Sequence, residues 1–203
     1  MVAVERILKG SEELFLQFGI RSVTMDDIAR NLGISKKTIY HYFTNKNELI
    51  NILVDKRLKE DCDQLRALIN SSENMIEELV TMTKGAEDVF SRINPIVVHD
   101  LQKYYPDAWM RFQTFKTEFL INTLEMLLFK GIQQGFIRPD ADARILAIMR
   151  VNQIEMGFNT TKFPLSEFNV WKVQHQLLTH FNYGICTLKG IEILNKRKNM
   201  EEN

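Results

Sequence analysis

Between Lys36 and Lys46 the chain holds three lysines, the ring residues Tyr40, His41 and Tyr42, and the hydroxyls of Thr38 and Thr44, with no carboxylate among them. Ammonium groups of this kind neutralise phosphates, and hydroxyl and imidazole groups reach phosphate oxygens or base edges. Successive helical residues are about 100° apart, so Ile39 and Phe43 can anchor a short helix inward while Lys36, Lys37, Tyr40 and His41 point elsewhere. Phe43 is expected in the core. The chemistry implied is recognition of a polyanion, not bond making. His99 and Asp100 are adjacent and share no helix face, and His175 and His180 are poorly spaced for one metal. There is no HExxH, P-loop, GxSxG or glycine-rich nucleotide loop. No enzyme, metal site or cofactor is expected.

The elements that would position these side chains read as helices. Apolar residues Val4, Ile7, Leu8, Leu14, Phe15 and Phe18 mark one face of a first helix over residues 4–18, stopped by Gly19. Thr24 can cap a second short helix, with Asp26 and Asp27 in its positive first turn and Ile28, Ala29 and Leu32 inward. Gly33 supplies a left-handed turn and Ser35 caps the third helix. Asn45 and Glu48 form a capping pair for a long fourth helix to about residue 70. Two short helices joined by a glycine turn, packed on a preceding helix, form a helix-turn-helix, which offers its second helix to the major groove.

The residues Thr24-Met25-x-x-Ile28-Ala29-x-x-Leu32-Gly33-Ile34-Ser35-Lys36-Lys37-Thr38-Ile39-Tyr40-His41-Tyr42-Phe43-x-x-Lys46-x-x-Leu49 resemble the tetracycline-repressor (TetR) family of regulators. Ile7-Leu8 and Leu14-Phe15-x-x-Phe18-Gly19 extend the match upstream. The resemblance implies that Thr24, Tyr42 and Lys46 bind phosphates and that Lys36, Thr38, Tyr40 and His41 lie at or in the groove. Ser35 and Lys37 complete the candidate DNA-facing set. Lys37 stands where many members carry glycine or another small residue, which either adds a phosphate contact or shifts the docking.

The remainder reads as helical too, giving an all-α fold of about nine helices. The expected layout is a helix-turn-helix domain over 1–47, a helical sensing and dimerisation domain over 48–190, and a polar tail over 191–203. A fifth helix is read near 73–92, restarts at Asn94-Pro95 and Tyr105-Pro106, an eighth helix from Asp140 or Asp142 to about 160, and a ninth from Ser166 to about 188. In the ninth, Val170, Gln174, Leu177, Phe181, Gly184 and Leu188 recur at four-three spacing. With Ile145, Met149 and Met156 of the eighth they form the expected homodimer face, Gly184 permitting close approach. Met82, Phe90, His99, Trp109, Phe112, Phe115 and Gln153 are the candidate lining of an effector pocket between helices, since such cavities combine aromatic walls with a few polar groups.

Charge sharpens the picture. The 203 residues carry 26 basic and 26 acidic side chains, so no general positive field draws nucleic acid. Residues 1–50 hold seven Lys or Arg against six Asp or Glu. The acid-free stretch must dominate phosphate attraction, and docking of two copies on a palindromic operator is expected to supply the affinity. Cys62 and Cys186 show no disulfide or zinc spacing. Residues 1–5 do not begin a signal peptide, and the longest apolar run, residues 145–149, is far short of the roughly 20 needed to span a bilayer. The expectation is a cytoplasmic regulator that represses until a small apolar or amphipathic ligand releases it. The rival is an architectural DNA binder or adaptor governed by a protein partner; an enzyme is the remote third reading.

Overall fold

The computed structural model describes residues 2–69 and 94–201. The helix read near 73–92, with Met82 and Phe90, lies outside the described residues. Within them the fold is all-α: α1 (Val2–Phe18), α2 (Met25–Leu32), α3 (Lys36–Tyr42), α4 (Lys46–Ile69), α5 (Pro95–Tyr104), α6 (Pro106–Thr114), α7 (Ile121–Gln133), α8 (Ala143–Gly157), α9 (Val170–Ile185) and α10 (Leu188–Glu201). A π-helical turn, Phe115–Leu120, lies between α6 and α7 in the chain. The helix expected to restart at Tyr105-Pro106 is therefore interrupted after Thr114. No described helix is long and apolar enough to cross a membrane.

The chain forms two compact units. The first contains residues 1–61 and 92–114. Ile7, Leu8 and Phe15 of α1, Ile28 and Ala29 of α2, Ile39 of α3, and Leu49 and Ile50 of α4 share its core with Phe43 and Ala108. A break at 47/48 is not what the packing shows. Leu49 and Ile50 fall in the first turns of α4 and are buried in this core, so the unit continues along α4 and takes in α5 and α6. Asn94 caps α5, accepting from the Ile96 amide at 3.0 Å, with Pro95 in the first turn where its missing N–H costs nothing.

The second unit, residues 62–91 and 115–203, packs Leu124, Leu127 and Leu128 of α7 against Ala147 and Val151 of α8 and Phe181 and Ile185 of α9. Asp142 caps α8 through the Ile145 amide at 2.9 Å. Asn169, not Ser166, caps α9 through the Lys172 amide at 3.1 Å. That helix stops at Ile185 because the next backbone turns extended and Cys186 pairs with Ile137 in an isolated antiparallel bridge. Burial pushes the Cys186 thiol up to about 11, which suits a packing residue and not a nucleophile. Residues 188–201 form α10 instead of a polar tail, since Leu194 is buried in the core and Ile191 and Ile193 pack against it.

These placements revise the expected dimer face. Gln174 and Phe181 are 1% and 3% exposed within one protomer, so the stripe they mark faces the unit's own core. Val170, Leu177 and Met156 are half-buried. Ile145, Met149 and Leu188 are exposed, and Leu188 belongs to α10. Gly184 has open space around it, whereas a Cβ on Gly157 would meet Gln174 Nε2 at 2.4 Å. Gly157 is the residue that lets α8 and α9 approach closely.

Candidate nucleic-acid interface

Local hydrogen bonding sets the α2–turn–α3 geometry. Thr24 Oγ1 accepts from the Asp27 amide at 3.2 Å while Asp27 Oδ2 accepts from the Thr24 amide at 2.9 Å, a reciprocal capping box. The hydrogen bonds from Thr24 hold the Asp27 carboxyl below its usual range. Gly33 ends α2 at φ +63°, a left-handed conformation that side chains resist, and the Ile34 amide reaches back to Ala29 O at 3.0 Å. Ser35 then caps α3, accepting from the Thr38 amide at 3.1 Å.

Ile39 and Phe43 are 0% and 1% exposed. They fix α3 by one side and leave Lys36, Lys37, Thr38, Tyr40 and His41 exposed. Tyr40 and Tyr42 are large rings held at 44% and 40% exposure, with His41 edge-on to Tyr42 at 5.0 Å. Lys36 is not free: its ammonium lies 2.8 Å from Asp26, and that hydrogen bond raises its pKa above the usual lysine range. Lys37 is exposed and makes no hydrogen bond or ion pair among the described residues. The field of this face is weaker than its lysine content suggests.

Lys46, at the start of α4, is half-buried. Its ammonium donates to Ile20 O at 2.5 Å and lies 5.7 Å and 5.8 Å from the ring centres of Phe15 and Tyr105. Burial pushes its pKa down, while Asp100 and Asp27 oppose the shift. An ammonium has three donors; the one given to Ile20 orients the other two.

Sequence reasoning missed the group that braces this face. Asp100 is 5% exposed and its Oδ2 accepts from the Arg21 amide at 2.8 Å. The Arg21 guanidinium donates to Tyr104 OH at 2.6 Å and lies 4.5 Å from that ring's centre. Helix α5 thereby holds the turn between α1 and α2. The sequence shows Asp100 only as the neighbour of His99, and His99 is exposed, 3.7 Å from Asp100 and edge-on to Tyr104 at 6.4 Å. The candidate effector residues divide between the units. His99, Trp109 and Phe112 lie in the first, the latter two with ring centres 5.2 Å apart. Phe115 and Gln153 lie in the second, and Phe115 stacks on Phe119 at 5.5 Å. Among the described residues no group of acids, histidines and cysteines is placed to hold a metal ion.

Comparison with known proteins bears on this geometry. Residues 7–52 match the family described as bacterial regulatory proteins, tetR family. The chain is similar to the HTH-type transcriptional regulator YvaF of Bacillus subtilis, 32% identical over 184 residues covering 89% of this chain and 94% of that one. It is also similar to the HTH-type transcriptional regulator TtgR of Pseudomonas putida, 34% identical over 155 residues, 70% of this chain and 72% of that one. Among solved structures, a transcriptional regulator of Saccharomonospora viridis in complex with choline shares the fold with a TM-score of 0.75 at 22% identity, over 91% of this chain and 98% of that one. Helix-turn-helix geometry, the family match and similarity over 89% of the chain agree: the chain belongs to the TetR family of bacterial transcriptional regulators.

Proposed function

We propose that this regulator is a homodimeric repressor that binds a palindromic operator through α3 and leaves it when a small apolar or amphipathic molecule binds the helical body. The observation that carries the reading is α3 itself, anchored by Ile39 and Phe43 and offering Lys37, Thr38, Tyr40 and His41 to the major groove. Thr24, Tyr42 and Lys46 take phosphates, Lys46 with the two donors that Ile20 leaves. Ser35 sets the start of the helix, and Lys36 contributes through its exchange between Asp26 and phosphate. A cytoplasmic location goes with a DNA-binding role.

Two copies are needed because a single short helix reads few base pairs, and half-sites about one helical turn or a multiple apart match two-fold symmetry. The exposed residues Ile145, Ile148 and Met149 of α8, at 63%, 39% and 40%, supply the apolar centre of the pairing face. Effector binding changes the spacing of the two readers. That a relative in fold is complexed with choline supports a small-molecule effector over a protein partner. The test compares binding of a selected operator with binding of its isolated half-site. The dimer reading requires the full site to bind far more tightly, with Tyr40→Ala altering site preference more than total affinity; equal binding of both fragments argues against it.

A further inference from the structure

Helix α8 carries a buried charge that no described residue pairs. Arg150 is 4% exposed and its Nη1 has no hydrogen-bond partner among the described residues. Three acids of this unit hold other partners. Glu155, about 140° around the helix from Arg150, holds the Lys116 ammonium at 2.6 Å. Glu125 holds Arg144 at 2.7 Å, and Asp142 caps α8. Burial lowers the Arg150 guanidinium to about 10, so it is still cationic at neutral pH.

Further unsatisfied groups lie on the same side of this helix. The Gln153 Oε1 is buried without a donor among the described residues. Gln174 of α9 packs over Gly157 and donates from Nε2 to Ile154 O at 2.8 Å, while its own Oε1 is buried without a donor among the described residues. Arg150, Gln153, Ile154 and Gly157 span about 100° of the helix circumference. Buried charges in folded proteins are paired, and a buried unsatisfied group calls for a role.

We infer that Arg150 is the recognition point for a small ligand bearing one carboxylate, with Gln153 and Gln174 presenting acceptors to a hydroxyl or amide N–H beside it. The guanidinium is a planar fork that matches two carboxylate oxygens. A single buried cation neutralises one negative charge, whereas a phosphate monoester would leave a net buried charge. An acid from a second copy of the chain does not fit, because Arg150 is covered within its own protomer. The inference deepens the effector reading and depends on it only for the consequence at DNA.

The test uses the full-length dimer and matched probes: hexanoate, decanoate, tetradecanoate and benzoate, each against its primary alcohol. Thermal shift and calorimetry are run on the wild type, Arg150→Met and Arg150→Lys. At least one carboxylate is expected to outbind its alcohol on the wild type. Arg150→Met then loses tenfold or more in carboxylate affinity while alcohol binding holds, and its ligand-free melting temperature rises as an unpaired buried charge is removed. Arg150→Lys, which keeps the charge without the fork, shows an intermediate loss and serves if the Met variant does not fold. No carboxylate preference on the wild type, or a preference that survives Arg150→Met, overturns the inference. DNA release is measured in parallel: a carboxylate that binds through Arg150 and leaves DNA affinity unchanged sinks the effector reading while the carboxylate site stands.

Discussion

Replacing Asp100 isolates the brace that α5 places on the DNA-binding face. Asp100→Ala removes a buried acceptor from the Arg21 amide, 2.8 Å away, and a negative charge that favours the Lys46 ammonium. A hydrogen bond to a charged group contributes about 1.5–3 kcal/mol, and a stranded donor adds to the loss. The expected cost is about 2 kcal/mol, roughly a thirtyfold change in the folding equilibrium. Asp100→Asn keeps an oxygen facing the Arg21 amide but not the charge, so it should cost about half as much. Urea unfolding at fixed protein concentration reads the difference, since subunit association shifts apparent stability. Amide exchange at Arg21 locates it. If Asp100→Ala costs under about 0.5 kcal/mol and the Arg21 amide stays protected, the brace is not a stabilising element and the reasoning fails.

Three further outcomes are expected. Lys46→Met keeps much of the packing against Phe15 and Tyr105 and removes the ammonium; DNA affinity should fall on all sequences, with the salt dependence flattened by about one unit of slope per protomer, in a filter-binding salt titration. Gly157→Ala places a methyl 2.4 Å from Gln174 Nε2 and should destabilise by about 1–3 kcal/mol through overpacking, read as a lowered melting temperature. Ile145→Glu with Met149→Glu puts charges on the exposed apolar face of α8; sedimentation should show a shift to monomer with the helical content unchanged.

What could be read from the sequence was local. Thr24, Gly33, Ser35 and Asn45 act on amides or carbonyls within a few residues, and residue type alone tells of such caps. The inward turn of Ile39 and Phe43 was equally legible, because only one helical phase buries both. The Arg21–Asp100 link joins residues 79 apart, and nothing beside either residue announces it. In α9 a second stripe, Trp171, Leu178 and Ile185 at seven-residue spacing, adjoins the first, so periodicity could not say that Gln174 and Phe181 turn inward. The polar composition of residues 191–203 concealed α10, whose burial rests on few apolar side chains, Leu194 foremost. Arg150 was invisible for the opposite reason: an arginine in a helix is ordinarily solvated, and only its packing reveals a buried charge.

Helix α3 is proposed to read a specific, symmetric DNA sequence. Selection of genomic fragments by the purified protein at moderate salt tests it most directly, with Tyr40→Ala run alongside. Enrichment of an inverted repeat whose half-sites lie about one helical turn or a multiple apart is expected, with a changed preference for the variant. Retention of bulk DNA with no enriched sequence, or an identical profile for Tyr40→Ala, would contradict it.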